Sequence, residues 1–265
     1  MKKILPWVAF GLLLTVGLGL LAYPAVSNYV NQINGSHAIQ VLSDALSVTD
    51  LEERNRQREL AQRYNRGLLG GDTEAAEDYD AILNFGNGVM GYLEIPDIQV
   101  SLPIYHGTGE ETLSRGLGHM PQSAFPIGGE GNHAAIVGHT GLPSAKMLDD
   151  LVKLETGDAF SVTVLDQTLY YCVDQILVVE PNDSQALLPV AGEDYCTIVT
   201  CTPYGVNSHR LLVRGTRVAD AVQTMTAPER TTFQVADLWW AALLCALLLG
   251  ILVAAALLRR RIRMF

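Results

Sequence analysis

Two long uncharged stretches lie near the ends of the chain, and a region of mixed polarity separates them. The first runs from Ile4 to Val26 and the second from Leu238 to Leu258. Each has the length of about 20 residues that a helix needs to cross a bilayer. The pattern therefore predicts a membrane anchor in residues 1–27 and a second membrane-spanning helix at 238–258.

Basic residues follow or precede these stretches at the chain ends. Lys2 and Lys3 precede the first stretch, and the tail 259–265, with four arginines, follows the second. The positive-inside rule places both tails in the cytoplasm and everything between the spans outside. A cleaved signal sequence is the alternative for the first stretch, because Ala25-Val26-Ser27 resembles a cleavage site.

The residues after the first stretch change to a charged pattern. From Asn28 to about Leu69 there is no proline, and leucines are spread among charges, which predicts a helix with a solvated face. Gly67 to Asp80 contains a Gly-Gly pair followed by five acidic residues, which predicts an exposed loop. Residues 28–84 are thus expected to form a helical segment with a loop at its end.

From Val89 to Val218 the apolar runs become short. They are rich in Val, Ile, Thr and Tyr and alternate with clusters of Gly, Pro, Asn and Asp, a pattern typical of strands. The candidate strands are Gly91–Ile95, Val100–Ile104, Ala134–Val137, Ala159–Leu165, Leu169–Val179, Tyr195–Thr200 and Arg210–Val218. This pattern predicts a mainly β domain, a closed or nearly closed β-barrel, over residues 85–218.

Two shorter segments complete this division of the chain. Ser144 to Leu151 is predicted to be a short helix, since Ser144 can cap it and three apolar residues share a face. Residues 219–237 are a polar linker that returns to the membrane.

Composition excludes several classes of protein. The net charge of −10 argues against nucleic acid as a partner, and 49% hydrophobic with 17% charged residues argues against disorder. There is no phosphate-binding glycine loop and no HExxH or CxxC pattern, so neither a cofactor nor a metal is expected.

Two predicted strands end in reactive residues. The strand Ala134–Val137 leads into His139, and the strand Tyr195–Thr200 leads into Cys201. A cysteine beside a histidine can form a thiolate–imidazolium pair, and the thiolate is the nucleophile. We therefore expect Cys201 and His139 to form a catalytic pair.

Arg210 begins the strand after the cysteine loop. Its guanidinium is always charged and can bind a carbonyl oxygen or the oxyanion of acyl transfer. Arg214, with the same strand parity, and Arg217 are rivals, but Arg210 lies nearer the cysteine loop. His209 competes as a base, although a regular strand directs it to the opposite face.

The remaining cysteines and histidines have structural interpretations. Cys172 and Cys196 lie in apolar strands, where two buried thiols are favoured over a disulfide, although an exported domain permits one. Cys245 lies within the second apolar stretch. The structural histidines are expected to be His106, His119 and His133.

Several segments resemble the sortase family, in the order in which that family carries them. These are Thr200-Cys201-Thr202-Pro203-Tyr204-Gly205, Asn207 to Gly215, Gly138 to Ala145, Leu102 to Thr108, Gly91 to Pro96 and Val173 to Ile176. They are similar to the pilin-polymerising class C, and a C-terminal span with a basic tail is typical of that class. The resemblance covers roughly residues 64 to 218.

The resemblance implies a sortase β-barrel and a transpeptidase activity. Cys201 would be the nucleophile, His139 the general acid or base, and Arg210 the clamp on the carbonyl and oxyanion. The implied substrate is a pilin or surface-protein sorting signal similar to Leu-Pro-x-Thr-Gly, cleaved between Thr and Gly. A pilin lysine or a peptidoglycan precursor would accept the acyl group, without metal or organic cofactor.

The loop before the first strand departs from class C. Many members carry an Asp-Pro-aromatic lid there, whereas residues 70 to 84 contain no Asp-Pro pair and Asp78-Tyr79 is the nearest equivalent. A lid that is shortened, differently anchored or absent is therefore expected. Housekeeping anchoring of surface proteins, a hydrolytic cysteine protease and a non-enzymatic scaffold are the alternative functions.

Overall fold

The computed structural model describes residues 5–70, 79–85 and 88–218. The predicted linker at 219–237, the second apolar stretch at 238–258 and the tail at 259–265 lie outside the described residues, as does Cys245. The same is true of residues 71–78, in the middle of the predicted loop.

Two helices, α1 (Leu5–Val48) and α2 (Leu51–Gly70), precede the barrel. The predicted helix from Asn28 to Leu69 was therefore wrong in two respects: it begins in the apolar stretch, and it is interrupted after Val48. Asp50 Oδ1 accepts the Glu53 N–H at 2.8 Å and so caps α2, while Arg54 Nη2 donates to Leu46 O at 2.8 Å and satisfies the end of α1.

The apolar part of α1 is exposed. Among the described residues, one helix is long and apolar enough to cross a membrane, within Leu13–Val48, and none of its apolar window is buried against the rest of the chain. This length and composition fit a membrane anchor.

The polar part of α1 lies along the barrel. Leu42 packs with Val89 and Tyr105, and Asn28 Oδ1 accepts the Lys146 N–H at 2.8 Å. The helix therefore continues from the apolar stretch onto the barrel surface without a break at the candidate cleavage site.

Eight strands form a closed barrel in the order β1-β2-β3-β4-β7-β8-β6-β5. They are β1 (Val89–Ile95), β2 (Val100–His106), β3 (Leu117–His119), β4 (Asn132–Val137), β5 (Ala159–Val164), β6 (Gln167–Val179), β7 (Asp194–Thr202) and β8 (His209–Arg217). All seven predicted strands are present, with ends that differ by a few residues. The predicted mainly β, closed-barrel fold is confirmed.

The sequence pattern missed β3 and the short helix α3 (Glu110–Arg115) that precedes it. β3 is only three residues long and contains Gly118, so it has no alternating pattern to detect. A Cβ on Gly118 would lie 2.2 Å from Gly107 O, which shows how closely this strand approaches the end of β2. β3 closes the barrel by pairing parallel to β2 and antiparallel to β4.

The predicted helix at 144–151 was wrong. Leu142 and Ala145 form an isolated β-bridge, turns follow, and helical structure is limited to the 3₁₀ turn Leu151–Lys153. The apolar residues Met147, Leu148 and Leu151 are nevertheless buried, as a shared face would require. Hydrogen bonds to the preceding loop, such as Leu148 N–H to His139 O at 3.2 Å, replace those of a helix.

α2 and the segment 79–85 close one side of the barrel. The Asn65 side chain is buried and bonds both backbone groups of Phe125, at 2.7 Å to the N–H and 3.1 Å to the carbonyl. Tyr79 is buried too, and its ring stacks on His119 and Phe125. Tyr79, the nearest equivalent of a lid aromatic, is thus a core residue.

Candidate active site

Cys201 and Arg210 lie opposite one another on adjacent strands. They are Cα partners in the antiparallel pair β7–β8. Residues directly opposite in such a pair are about 4.5–5.5 Å apart and point to the same face of the sheet. The alternation places Cys201 and Arg210 on the outer face, because their neighbours Thr200 and Leu211 are buried towards the inside.

His139 reaches the same level from the other side of β7. β4 runs parallel to β7, with Val137 opposite Val199, and the Gly138 N–H donates to Val199 O at 3.0 Å. Two further residues along each strand bring His139 level with Cys201. Cys201 and Arg210 are therefore on the adjacent strands β7 and β8, and His139 lies two residues beyond the end of β4, the strand on the other side of β7.

Close packing fixes the backbone that carries His139. Thr200 Oγ1 donates to Gly138 O at 2.8 Å, which ties the end of β4 to β7. After His139, Asp149 Oδ1 accepts the Gly141 N–H at 2.7 Å and the Thr140 hydroxyl at 3.0 Å. The imidazole is thus carried on a segment held from both sides, as a catalytic group requires.

The turn between β7 and β8 shapes the other side of the site. Val206 and Asn207 N–H groups both donate to Pro203 O, and Asn207 adopts a left-handed conformation with φ of 58°. Asparagine tolerates that region better than most residues do. A Cβ on Gly141 would lie 3.7 Å from the Tyr204 ring, so this turn abuts the loop after His139.

The guanidinium of Arg210 is held near the turn. Its Nη1 donates to His209 O at 3.1 Å and to Asn207 O at 3.4 Å. Within the described part of the chain, Arg210 has no carboxylate partner. A guanidinium has five N–H donors, so most remain to bind an incoming carbonyl oxygen.

The rival arginines are engaged elsewhere. Arg214 makes a bidentate pair with Asp174, at 2.6 and 3.1 Å, and lies 4.1 Å from the Tyr195 ring centroid. Hydrogen bonding to the Asp174 carboxylate raises the pKa of Arg214 above its ordinary value. Arg217 lies 4.0 Å from Asp194. The geometry therefore favours Arg210 over both.

The other histidines have structural environments, as expected. His119 is fully buried, where Nε2 donates to Ala124 O at 2.9 Å and burial lowers the pKa to about 4. His133 bonds Thr197 Oγ1 at 2.7 Å, and burial lowers its pKa. The ring nitrogens of His106 lie 3.0 and 2.6 Å from backbone carbonyls. His209 lies opposite Thr202, with Nε2 3.5 Å from Glu180, and so is directed away from Arg210.

Cys172, Cys196 and Cys201 are all free thiols. β8 lies between β6 and β7, with Thr216 opposite Cys172 and Gly215 opposite Cys196. The two Cα atoms are therefore about two strand spacings, roughly 10 Å, apart, too far for a disulfide. Burial raises the pKa of Cys196, which keeps that thiol protonated, while Cys201 is half-buried at the rim.

The cavity found beside α1 lies away from these residues. No group of three or more potential metal ligands occurs within the described ranges 5–70, 79–85 and 88–218. A cavity of about 340 Å³ lies between α1 and the barrel, lined by Asn34, His37, Tyr105 and Arg115 among others, and none of the three site residues lines it. Cys201, His139 and Arg210 are each half-buried.

Sequence reasoning missed two acidic residues beside His139. Asp149 was placed on a helix that does not form, and Glu110 lies on the undetected α3, with Oε2 3.5 Å from His139 Nε2. Asp149 has no signal in a single sequence, because its role depends on the fold of the loop. Glu110 follows Gly109 in a Gly-Glu-Glu run typical of a helix start, which could have indicated α3.

Comparison with known proteins identifies the family of the chain. The family model for the Sortase domain matches residues 93–218. Sortase A of Streptococcus agalactiae is 33% identical over 119 residues, 43% of this chain and 47% of that protein. Sortase D of Bacillus subtilis is 24% identical over 175 residues, 64% of this chain and 85% of the other. The chain spans about half the length of the first of these relatives.

Solved structures are similar over the whole of their chains. Sortase C1 of Streptococcus agalactiae is 42% identical with a TM-score of 0.67, and the match covers 70% of this chain and 100% of that one. Sortase C of Streptococcus pneumoniae is 40% identical with a TM-score of 0.64, covering 69% and 97%. At this identity and over the full length of a solved chain, the likeness shows that the chain belongs to the sortase family.

Proposed function

We propose that the chain is a membrane-anchored cysteine transpeptidase in which Cys201 is the nucleophile. The observation that carries this proposal is the pairing of Cys201 with Arg210 across β7–β8, beside the end of β4 that leads into His139. A thiol, an imidazole and a guanidinium at one rim supply a nucleophile, a proton donor and an oxyanion partner. Cys201 and Arg210 are half-buried, so a peptide can reach them at this rim.

The first half-reaction forms a thioester. The Cys201 thiolate attacks the Thr carbonyl of a sorting signal similar to Leu-Pro-x-Thr-Gly, and the Arg210 guanidinium stabilises the oxyanion. Collapse of this tetrahedral intermediate breaks the Thr–Gly bond. The His139 imidazolium then protonates the leaving amine of glycine, which leaves a thioester on Cys201 and a neutral imidazole.

The second half-reaction transfers the acyl group to an amine. The acceptor nitrogen attacks the thioester, gives its proton to His139, and forms an amide as the Cys201 thiolate leaves. We propose a pilin lysine as the acceptor. Two of the similar structures support this choice, since one is a pilus-related sortase C of Group B Streptococcus and another bears on pilin substrate specificity.

The proposed location is the outer face of the cell membrane. The exposed apolar part of α1 supports anchoring through residues 1–27. The basic residues at the two ends of the chain support a catalytic barrel at 85–218 outside the cytoplasm and both termini inside. The amine acceptor would then be a component of the cell surface. The alternatives to a pilin lysine are transfer of the acyl group to a peptidoglycan precursor and transfer of the acyl group to water.

Intact-mass spectrometry of the full chain in detergent micelles tests the proposal. The chain is incubated with a Leu-Pro-x-Thr-Gly peptide, with and without a lysine-containing peptide. We expect an adduct on Cys201 that passes to the lysine amine. Cys201→Ala should abolish the adduct, and Cys172→Ala, which removes another half-buried thiol, should not.

Other outcomes discriminate between the functions. An adduct that decays only to free acid would indicate a hydrolytic protease. An adduct resolved by a peptidoglycan-type amine but not by lysine would favour wall anchoring. Normal turnover by Cys201→Ala would refute the nucleophile assignment.

A further inference from the structure

The Nε2 atom of His139 is enclosed without a hydrogen-bond partner in the described part of the chain. The His139 side chain as a whole is 23% exposed, so the enclosure concerns one edge of the ring. Glu110 Oε2 lies 3.5 Å from that nitrogen. The contact is within ion-pair distance, although it lacks the alignment of a hydrogen bond.

The fold holds the Glu110 backbone close to His139. Glu110 is the first residue of α3, and the Thr112 hydroxyl donates to His106 O at 3.1 Å, which ties α3 to the end of β2. Gly118 of β3 also lies close to Gly107, which follows β2. β3 in turn pairs with β4, the strand that leads into His139. The Glu110 side chain is 84% exposed and free to rotate into alignment.

Glu110 has an ion pair with His139, and its neighbour Glu111 has no ion pair among the described residues. Glu111 is also exposed and on the same turn of α3, and its backbone carbonyl accepts the Ser114 hydroxyl at 2.8 Å. Glu111 is therefore a matched control for the charge at this corner.

We propose that Glu110 is a positioning residue for His139, a step that rests on the proposed transpeptidase function. Its carboxylate pairs with the Nε2–H edge, fixes the ring orientation and stabilises the imidazolium of the thiolate–imidazolium pair. The other nitrogen, Nδ1, is thereby left to exchange a proton with the leaving and attacking amines. Glu110 itself neither gains nor loses a proton, in the manner of the acid that orients a catalytic histidine in other enzymes.

The effect is expected to be moderate, because Glu110 is exposed and solvent screens its charge. We expect Glu110→Gln to lower kcat by about three- to thirtyfold, between the weakening of an exposed ion pair and the loss of a charge-assisted hydrogen bond. KM for the sorting peptide should stay within about twofold, since Glu110 acts through His139.

The test uses full-length Glu110→Gln and Glu111→Gln in detergent micelles. It measures kcat, KM and the alkylation rate of Cys201 by iodoacetamide, with Cys201 and Cys172 distinguished by peptide mass. The expected result is a lower kcat and slower Cys201 alkylation in Glu110→Gln alone, with an unchanged unfolding temperature. Equal kcat and alkylation rates in Glu110→Gln and Glu111→Gln would overturn the proposal.

The alkylation measurement separates this proposal from the proposed function. If the wild-type chain formed no acyl adduct, the transpeptidase proposal would fail, yet the Cys–His pair could still be assessed without substrate. In that case slower alkylation in both Glu110→Gln and His139→Ala would support the role of Glu110. Slower alkylation in His139→Ala alone would overturn it.

Discussion

Replacing Gly138 by alanine should test how tightly the segment before His139 is packed. Gly138 has no left-handed backbone conformation, so space is the obstacle to a side chain there. A Cβ would lie 2.5 Å from Leu117 Cδ2 and 2.6 Å from Leu148 Cδ1. Carbon atoms normally pack at about 3.5–4.0 Å, so roughly 1 Å of movement is required.

Both leucines have little freedom to give way. Leu117 is 0% exposed and Leu148 is 1% exposed, so each is surrounded by other core atoms. Overpacking of this kind costs about 1–3 kcal/mol of unfolding free energy. If the backbone moves instead, His139 is displaced by about 1 Å, which can cost on the order of 10²-fold in rate.

The assay combines stability with turnover in full-length protein. Thermal unfolding by circular dichroism and amine-dependent kcat would be measured for wild type, Gly138→Ala and Gly109→Ala. Gly109 is a matched control, because it lies beside the same site, has φ of −69° and has open space around its Cβ position. We expect Gly109→Ala to stay near wild type in both measurements.

A double-mutant cycle with Leu148→Ala identifies the cause of the loss. The smaller side chain removes one of the two close contacts, so Gly138→Ala should cost less in that background than in wild type. An equal cost in both backgrounds would refute the steric reasoning. Wild-type stability and turnover in Gly138→Ala would refute it more directly.

Two further predictions concern the arginines and a buried histidine. Arg210→Ala should lower kcat by about 10²–10³-fold, the loss typical of an oxyanion donor. Arg214→Ala should instead lower the free energy of unfolding by about 1–3 kcal/mol and largely retain kcat. A large loss of kcat in Arg214→Ala but not in Arg210→Ala would assign the oxyanion role to Arg214. Burial lowers the pKa of His119 to about 4, so the unfolded chain binds the proton first as pH falls. The contribution of neutral His119 to the free energy of unfolding is complete above about pH 6.5 and decreases as the pH falls towards 4. The free energy of unfolding of His119→Gln should therefore fall less steeply with decreasing pH than that of wild type. Equal slopes for the two proteins would contradict this prediction.

Local patterns were sufficient for most of the barrel. All seven candidate strands begin and end within two residues of the observed strands, because each is an apolar run between turn residues. Patterns failed where tertiary contacts outweigh local preference. The segment 144–151 has a helical apolar face, yet its N–H groups and Asp149 bond the loop after His139 instead.

The break between α1 and α2 was missed although its signal is in the sequence. Asp50 followed by Glu53 is the pattern of a helix N-terminus, and Asp50 does cap α2. The break between α1 and α2 was missed because the residues on both sides of it are similarly charged and polar. In contrast, the buried Asn65 has no local signal, since its two partners belong to Phe125, 60 residues away.

The candidate site shows most clearly where sequence reasoning depends on topology. Cys201 and Arg210 lie on consecutive antiparallel strands, so their proximity follows from a short turn between β7 and β8. His139 is different, because β4 and β7 are distant in sequence and pair in parallel. Two parallel strands need a long connection between them, and here the connection from β4 to β7 contains β5 and β6. Single-sequence patterns indicated seven of the eight strands but not which strands pair, so the Cys–His pair could be proposed from chemistry and resemblance. Glu110 could be found only after β3 and α3 were placed.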